Sequence, residues 1–258
     1  MTLGDELLLL AVGTGRRRPR IRSENRLRAA LRASELVELH LTGRIAFGPR
    51  RIEVLGTESV EDRRLDNILL SLGRTVPPPS FREWLGTAPQ SLVSEYYSRL
   101  EDQKALRCRR WRDAAGRTRH DVVSVDVARR RAVVDRLGAL IDAAPGTPPD
   151  RRDLALAVLV GTADIPAAVY PGVRGLAARR RLTARTAAWT EHLTSAQEAA
   201  RLAGGGSGAP ATHPFPPSGR LGNELADLYS DVTTGGHGLA HSLDSGGWSD
   251  GGAGGHAD

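Results

Sequence analysis

Apolar positions recur at helical spacing through most of residues 1–202, interrupted twice by strand-like alternation. Thr2, with Asp5 three residues on, opens a helix over 3–11, because a capping hydroxyl satisfies amide donors that lack a partner within the first turn. Ser23 caps a second helix reaching Thr42, in which Leu27, Ala30, Leu31, Val37 and Leu41 fall on one stripe that forms a core face. Gly43 ends it, and 44–47 and 51–55 alternate about Gly48-Pro49-Arg50 as the arms of a hairpin do. Leu65, Ile68, Leu69 and Leu72 mark another helix. Two capping-box patterns follow, Ser80 with Glu83 and Thr87 with Gln90, ahead of a helix whose apolar face is Leu92, Val93, Tyr96 and Leu100. A second hairpin has arms 106–112 and 118–125 about Ala114-Ala115-Gly116, before a helix lined by Val133, Val134, Leu137, Leu140 and Ile141. Thr147-Pro148 with Asp150 begins the next helix, whose run DLALAVLV is apolar on every side and predicts a central position. Segments 167–181 and 184–202 are helical by composition. The fold class is mainly α: a compact multi-helix domain with two small β-hairpins.

From Ala203 the pattern stops. Residues 203–258 hold 15 of the 29 glycines, and this Gly-rich tail reads as mostly disordered, beside a folded domain over 1–202. The tail carries Arg220 against six acids, a net −5, which leaves +11 on residues 1–202. Within it, Leu221, Leu225 and Leu228 share a helical spacing suited to weak docking. Lys104 is the single lysine among 36 basic residues, a bias that makes arginine abundance weak evidence of function by itself. The lone Cys108 cannot form a disulfide within its own chain, which points to a reducing compartment. The longest early apolar run, Leu7–Val12, is far shorter than the roughly 20 residues of a membrane-spanning helix, and the first charges are the acids Asp5 and Glu6. The expected location is the cytoplasm, with association to a membrane surface.

Catalytic signatures are missing from the patterned part of the chain: residues 1–202 have no G-x-S-x-G, no H-E-x-x-H and no phosphate-binding G-x-x-x-x-G-K-[ST]. Cys108, flanked by arginines, reads as a half-buried strand residue rather than a nucleophile. Four of the seven histidines fall in the tail, and His237 and His241 have ligand spacing only on a helix that the surrounding glycines oppose. Glu38, on the apolar stripe of its helix, calls for an ion pair with a neighbouring arginine rather than a role as general base. No catalytic residue, metal site or cofactor is expected, and the chain reads as a non-enzyme.

Charge placement says more. Arg16, Arg17, Arg18, Arg20 and Arg22 surround Pro19 in one loop without an acid, and such a loop is either solvated or held by something anionic. Near an acidic membrane each charge contributes on the order of 1 kcal/mol, and a nucleic-acid duplex would attract the same loop. On the second helix, Arg28 and Arg32 share a face one turn apart, with Glu24 and Glu35 in reach as salt-bridge partners. On the second hairpin, Arg107, Arg109, Arg110 and Arg112 flank Trp111, a residue suited to a boundary between apolar and wet surroundings, so Arg109, Arg110 and Trp111 form a membrane-contact candidate.

The order of LGDELLLLAV (3–12), LRASELVELHLTGRIAF (31–47), RRIEVL (50–55), LDNILLSL (65–72) and DRRDLALAVLVGTADIPAAVY (150–170) resembles the Golgi-phosphoprotein family, with a divergent, bacterial-type pattern. Helix LVELHLTGRI, ending in Gly-Arg-Ile, is the strongest of these matches. That family includes adaptors that read phosphatidylinositol 4-phosphate on Golgi membranes. The resemblance implies that Arg32 takes the place of the family's second-helix headgroup arginine, that Ser23 stands where a loop tryptophan is expected, and that Gln90-Ser91-Leu92-Val93 stands where an arginine pair is expected. It also implies that the 106–125 hairpin takes the place of the one that inserts into the bilayer and mediates oligomer contacts. The resulting expectation is a non-enzymatic peripheral membrane adaptor for anionic phospholipid, possessing a reduced headgroup site at Arg32, Arg28 and the 16–22 loop, with a protein partner or a second copy as further partners. Two alternatives stand beside it. Helix, hairpin and helix repeated twice suggests winged-helix architecture with a nucleic-acid partner, and the acidic tail over a basic core suggests a protein-interaction scaffold.

Overall fold

A computed structural model of the chain describes residues 1–12, 24–48, 51–114, 116, 118–144 and 149–186. Its elements are α1 (Leu3–Ala11), α2 (Glu24–Leu41), β1 (Ile45–Phe47), β2 (Ile52–Val54), α3 (Arg63–Arg74), α4 (Phe81–Gly86), α5 (Leu92–Asp102), β3 (Leu106–Arg112), β4 (Thr118–Val125), α6 (Val127–Asp142), α7 (Arg151–Thr162) and α8 (Pro166–Val169), and residues 176–186 are helical. The fold is mainly α with two separate antiparallel hairpins, β1–β2 and β3–β4. The loop arginines 16–22, Ser23 and the tail lie outside the described residues.

α1 is buried along its whole length, including its acids Asp5 and Glu6, and packs on α2, α5, α6, α7 and α8. Thr2 makes the expected capping box with Asp5. α2 differs from the one-stripe expectation: residues 27–39 are buried on every side, because α1, α7, α5, α3 and α4 surround it. Its polar positions are therefore interior positions that need partners. α7 is central as its all-round apolar run predicts, with Leu154 to Val160 buried throughout. Each buried leucine or valine of these three helices contributes about 1.5–3 kcal/mol.

Three helices end in the same way. After α2, the amide of Arg44 bonds the Leu39 carbonyl and that of Gly43 bonds His40, with Gly43 left-handed at φ 71°. The same paired bonds close α5, where Lys104 takes the left-handed position, and α7, where Asp164 takes it. These are Schellman ends, and they turn the chain sharply into β1, β3 and α8. Two sequence expectations are corrected here. Thr87 does not cap α5; its hydroxyl bonds the Trp84 carbonyl, and α5 begins later, after Ser91, which makes no side-chain cap. Nor is 167–181 one helix: Tyr170-Pro171-Gly172 breaks it, with Gly172 left-handed.

The register of the second hairpin runs from Leu106↔Val125 to Arg112↔Thr118, with a bulge between Arg107 and Cys108. Its inner face packs on α5, where His120 stacks on Tyr97 at 4.7 Å between centroids and meets Ser94 Oγ at 3.2 Å.

Candidate functional site

Along one side of α2, Glu24, Arg28, Arg32 and Glu35 follow one another at helical spacing, and the surrounding elements give each a different environment. Arg32 is clamped. Its Nη1 donates to Glu35 Oε2 at 2.8 Å and its Nη2 to Thr87 Oγ1 at 3.2 Å, while the guanidinium lies 3.6 Å over the Trp84 ring. Glu35, wholly buried, also accepts from Arg64 Nε at 2.5 Å, and Arg64 reaches Glu95 at 2.5 Å. Burial pushes the Glu35 carboxyl up, and Arg64 and Arg32 offset only part of that shift. Burial works against the Arg64 charge as well, but there Glu35 and Glu95 prevail and hold it above the usual guanidinium value.

Arg28, one turn earlier, is 8% exposed, and its Nη2 donates to the neutral Asn25 Oδ1 at 3.0 Å. Its Nε–H has no partner, and no carboxylate lies within ion-pairing distance among the described residues. The expected Glu24 partner turns elsewhere, to Arg119 Nη1 of β4 at 3.1 Å. Arg28 thus occupies the stretch of α2 between the hairpin, reached through Glu24, and the end of α4, reached through Arg32 and Thr87.

The hairpin places Trp111 at 46% exposure, directly opposite Arg119. Arg109 pairs with Asp121 across the strands at 3.2 Å and Arg110 with Glu101 at 2.5 Å, both well exposed, so water weakens these pairs. Arg22, the last loop arginine, is two residues from Glu24 in the chain, and Glu24 touches the hairpin.

A further feature had no sequence signal. A cavity of about 680 Å³ lies between α3 and α5, walled by Arg63, Arg64, Arg99 and Asp102, with Arg32 and Trp84 also lining it. Arg99 binds Asp5 at 2.7 Å and also Asp62, joining α5 to α1 and to the start of α3. These partners are dozens of residues apart, so local charge patterning along either helix does not show them. Elsewhere Glu38 finds the expected arginine in Arg152, and its other oxygen accepts the Leu3 amide at 2.6 Å. Among the described residues, no group of three or more histidine, cysteine or acidic side chains is placed to hold a metal ion. No described helix is long and apolar enough to cross a membrane.

The family model of Golgi phosphoprotein 3 (GPP34) matches residues 3–204. The chain belongs to the Golgi phosphoprotein 3 family. No curated protein matches it. Membership is consistent with a non-enzymatic adaptor. In this Golgi phosphoprotein 3 family member Arg32 is spent on Glu35, whereas Arg28 keeps an unpartnered donor. Gln90–Val93 come just after Thr87, the residue that Arg32 grips.

Proposed function

We propose that the protein is a non-enzymatic, cytoplasmic adaptor that docks on membranes by binding anionic phospholipid, with phosphatidylinositol 4-phosphate as the preferred headgroup. One observation carries this reading: Arg28 is a buried cation with a free N–H and, among the described residues, no carboxylate partner. Such a group is costly to bury unless an anion completes its coordination, and a headgroup phosphate supplies the missing acceptor. In this scheme Arg32 is a positioning residue, held by Glu35 and Trp84 so that the α2 face keeps its shape. Arg16, Arg17, Arg18, Arg20 and Arg22 supply long-range attraction, and Trp111 with Arg109 and Arg110 rests in the headgroup layer.

Cosedimentation of the full chain with vesicles of phosphatidylcholine alone, or with added phosphatidylserine or phosphatidylinositol 4-phosphate, tests the proposal. Wild type is expected to bind both acidic vesicles and to prefer the phosphoinositide. Arg28→Gln should abolish that preference while leaving the weaker charge-driven binding, and neutralising the five loop arginines should remove the latter as well. Absence of binding to any acidic vesicle, or steeply salt-dependent binding to duplex DNA alone, would overturn the proposal.

A further inference from the structure

The α3–α5 cavity differs from the Arg28 face in its charge balance. Its four guanidiniums, on Arg32, Arg63, Arg64 and Arg99, meet five carboxylates: Glu95 and Asp102 in the lining, and Glu35, Asp5 and Asp62 bound to the arginines. The cavity therefore offers no net attraction to a phosphate-rich anion. Two charges and one buried donor remain once the internal pairs are removed. Arg63 on α3 and Asp102 on α5 are exposed, face the same cavity, and form no ion pair with each other or with any described residue. Trp84 is 7% exposed and lines the cavity, and its indole Nε1–H has no partner. A buried donor left unpaired is uncommon in a folded protein and marks a place where an acceptor is missing.

From these three groups we infer that the α3–α5 cavity is a binding site for a small zwitterion. The ligand's anionic end meets Arg63 and its ammonium meets Asp102, with the Trp84 indole in the wall of the same cavity. Ion pairs already formed within the cavity, Arg64 with Glu95 and Arg99 with Asp62, fix the wall spacing without consuming those three groups. A volume of about 680 Å³ exceeds a single amino acid and suits a glycerophosphoethanolamine headgroup or a tripeptide. Both sources share the chemistry of an ammonium and an anion on one short, oxygen-bearing frame. A phosphate on Arg28 makes no demand on this cavity, so this inference does not rest on the vesicle reading.

The test is calorimetric titration of the full chain with glycerophosphoethanolamine and with triglycine, beside inorganic phosphate and ethanolamine as single-charge probes. The Trp84 indole N–H resonance, assigned with Trp84→Phe, is followed in parallel. At least one zwitterion should bind at least about tenfold more tightly than either single-charge probe and shift that resonance. Arg63→Gln and Asp102→Asn, both at exposed positions that leave the fold intact, should each weaken it by about tenfold, and Arg28→Gln should not. Tighter binding of glycerophosphoethanolamine would identify a lipid-headgroup source, and tighter binding of triglycine a soluble one. The inference fails if neither zwitterion binds, if phosphate alone binds as tightly, or if both variants bind like wild type.

Discussion

Replacing Arg99 by methionine removes the cation that ties α1, α3 and α5 together while keeping an unbranched side chain of similar reach. In the native chain Arg99 donates to Asp5, which has no exposed side-chain surface, and to Asp62, which has little. Removing one partner of a buried ion pair costs about 3–5 kcal/mol, because the remaining charge stays desolvated. Part of that cost is offset here. Asp5 keeps the Thr2 amide at 2.9 Å and Gln103 at 3.3 Å, and Asp62 keeps the amides of Arg64 and Leu65 as the cap of α3. The expected loss is therefore at the lower end, about 3 kcal/mol. With a urea slope of about 2 kcal/mol/M, that loss moves the unfolding midpoint down by about 1.5 M. The effect also has a pH signature. Burial pushes the Asp62 carboxyl up, but Arg99 and the first-turn amides outweigh it and leave the folded value below the usual one. A depressed folded value means that this stabilisation is fully present above the usual carboxylate range and disappears as pH falls through the folded value. The gap between wild type and Arg99→Met should accordingly narrow below about pH 4. A midpoint change under about 0.5 M, or a gap that stays constant into acid, would refute the reasoning that Arg99 acts as a counter-ion rather than as packing.

Other expectations follow from single contacts. Arg130 is buried with no carboxylate partner among the described residues and donates to the carbonyls of Leu10, Val12 and Ala168, so Arg130→Met should cost roughly 3 kcal/mol and lower the melting temperature by about 6–12 °C in calorimetry. At Gly4 an added Cβ would come within 2.4 Å of the buried Tyr96 hydroxyl, so Gly4→Ala should destabilise by about 1–3 kcal/mol. Gly73 on α3 has nothing within 4 Å of that position, and Gly73→Ala should instead stabilise by up to about 1 kcal/mol, giving opposite signs in one chemical-denaturation experiment. Lys104 is exposed and left-handed at φ 56°, and Lys104→Gly should raise stability by about 0.5–1 kcal/mol in the same assay.

Local signals in the sequence were legible where a single helix or hairpin carries them. The Thr2 and Ser80 capping boxes form both their bonds, and the arms of each hairpin fall within a residue of their expected limits. The Thr87 box failed because its hydroxyl has a better use: it accepts from Arg32, a partner 55 residues away, and bonds the Trp84 carbonyl. Lys104 and Asp164 end helices as Gly43 does, a left-handed role that neither residue type announces, whereas the break that helical composition passed over is Tyr170-Pro171-Gly172 within 167–181. For the site, the sequence brought out Arg28 and Arg32 as neighbours on one face but could not tell which was satisfied. That depends on Glu35 turning to Arg32 and Glu24 turning to Arg119, choices fixed by tertiary packing.

The same packing changes what the basic composition means. Asp5 and Glu6 on α1, and Glu35 and Glu38 on α2, are buried, and each takes an arginine from a later element: Arg99, Arg136, Arg64 and Arg152 respectively. Arginine suits this use because its planar, delocalised cation can serve two acceptors at once, as Arg99, Arg136 and Arg152 each do. A large share of the positive charge on residues 1–202 is thus internal and cannot attract a partner. Net charge therefore overstates the attraction available to a membrane, and the relevant quantity is the set of guanidiniums still lacking a carboxylate. Among the described residues that set includes Arg28 beside the hairpin and Arg63 on the α3–α5 cavity, two places with different surroundings. A single class of anionic ligand would have no reason to occupy both, because one offers a buried unpaired cation and the other a balanced pair of opposite charges.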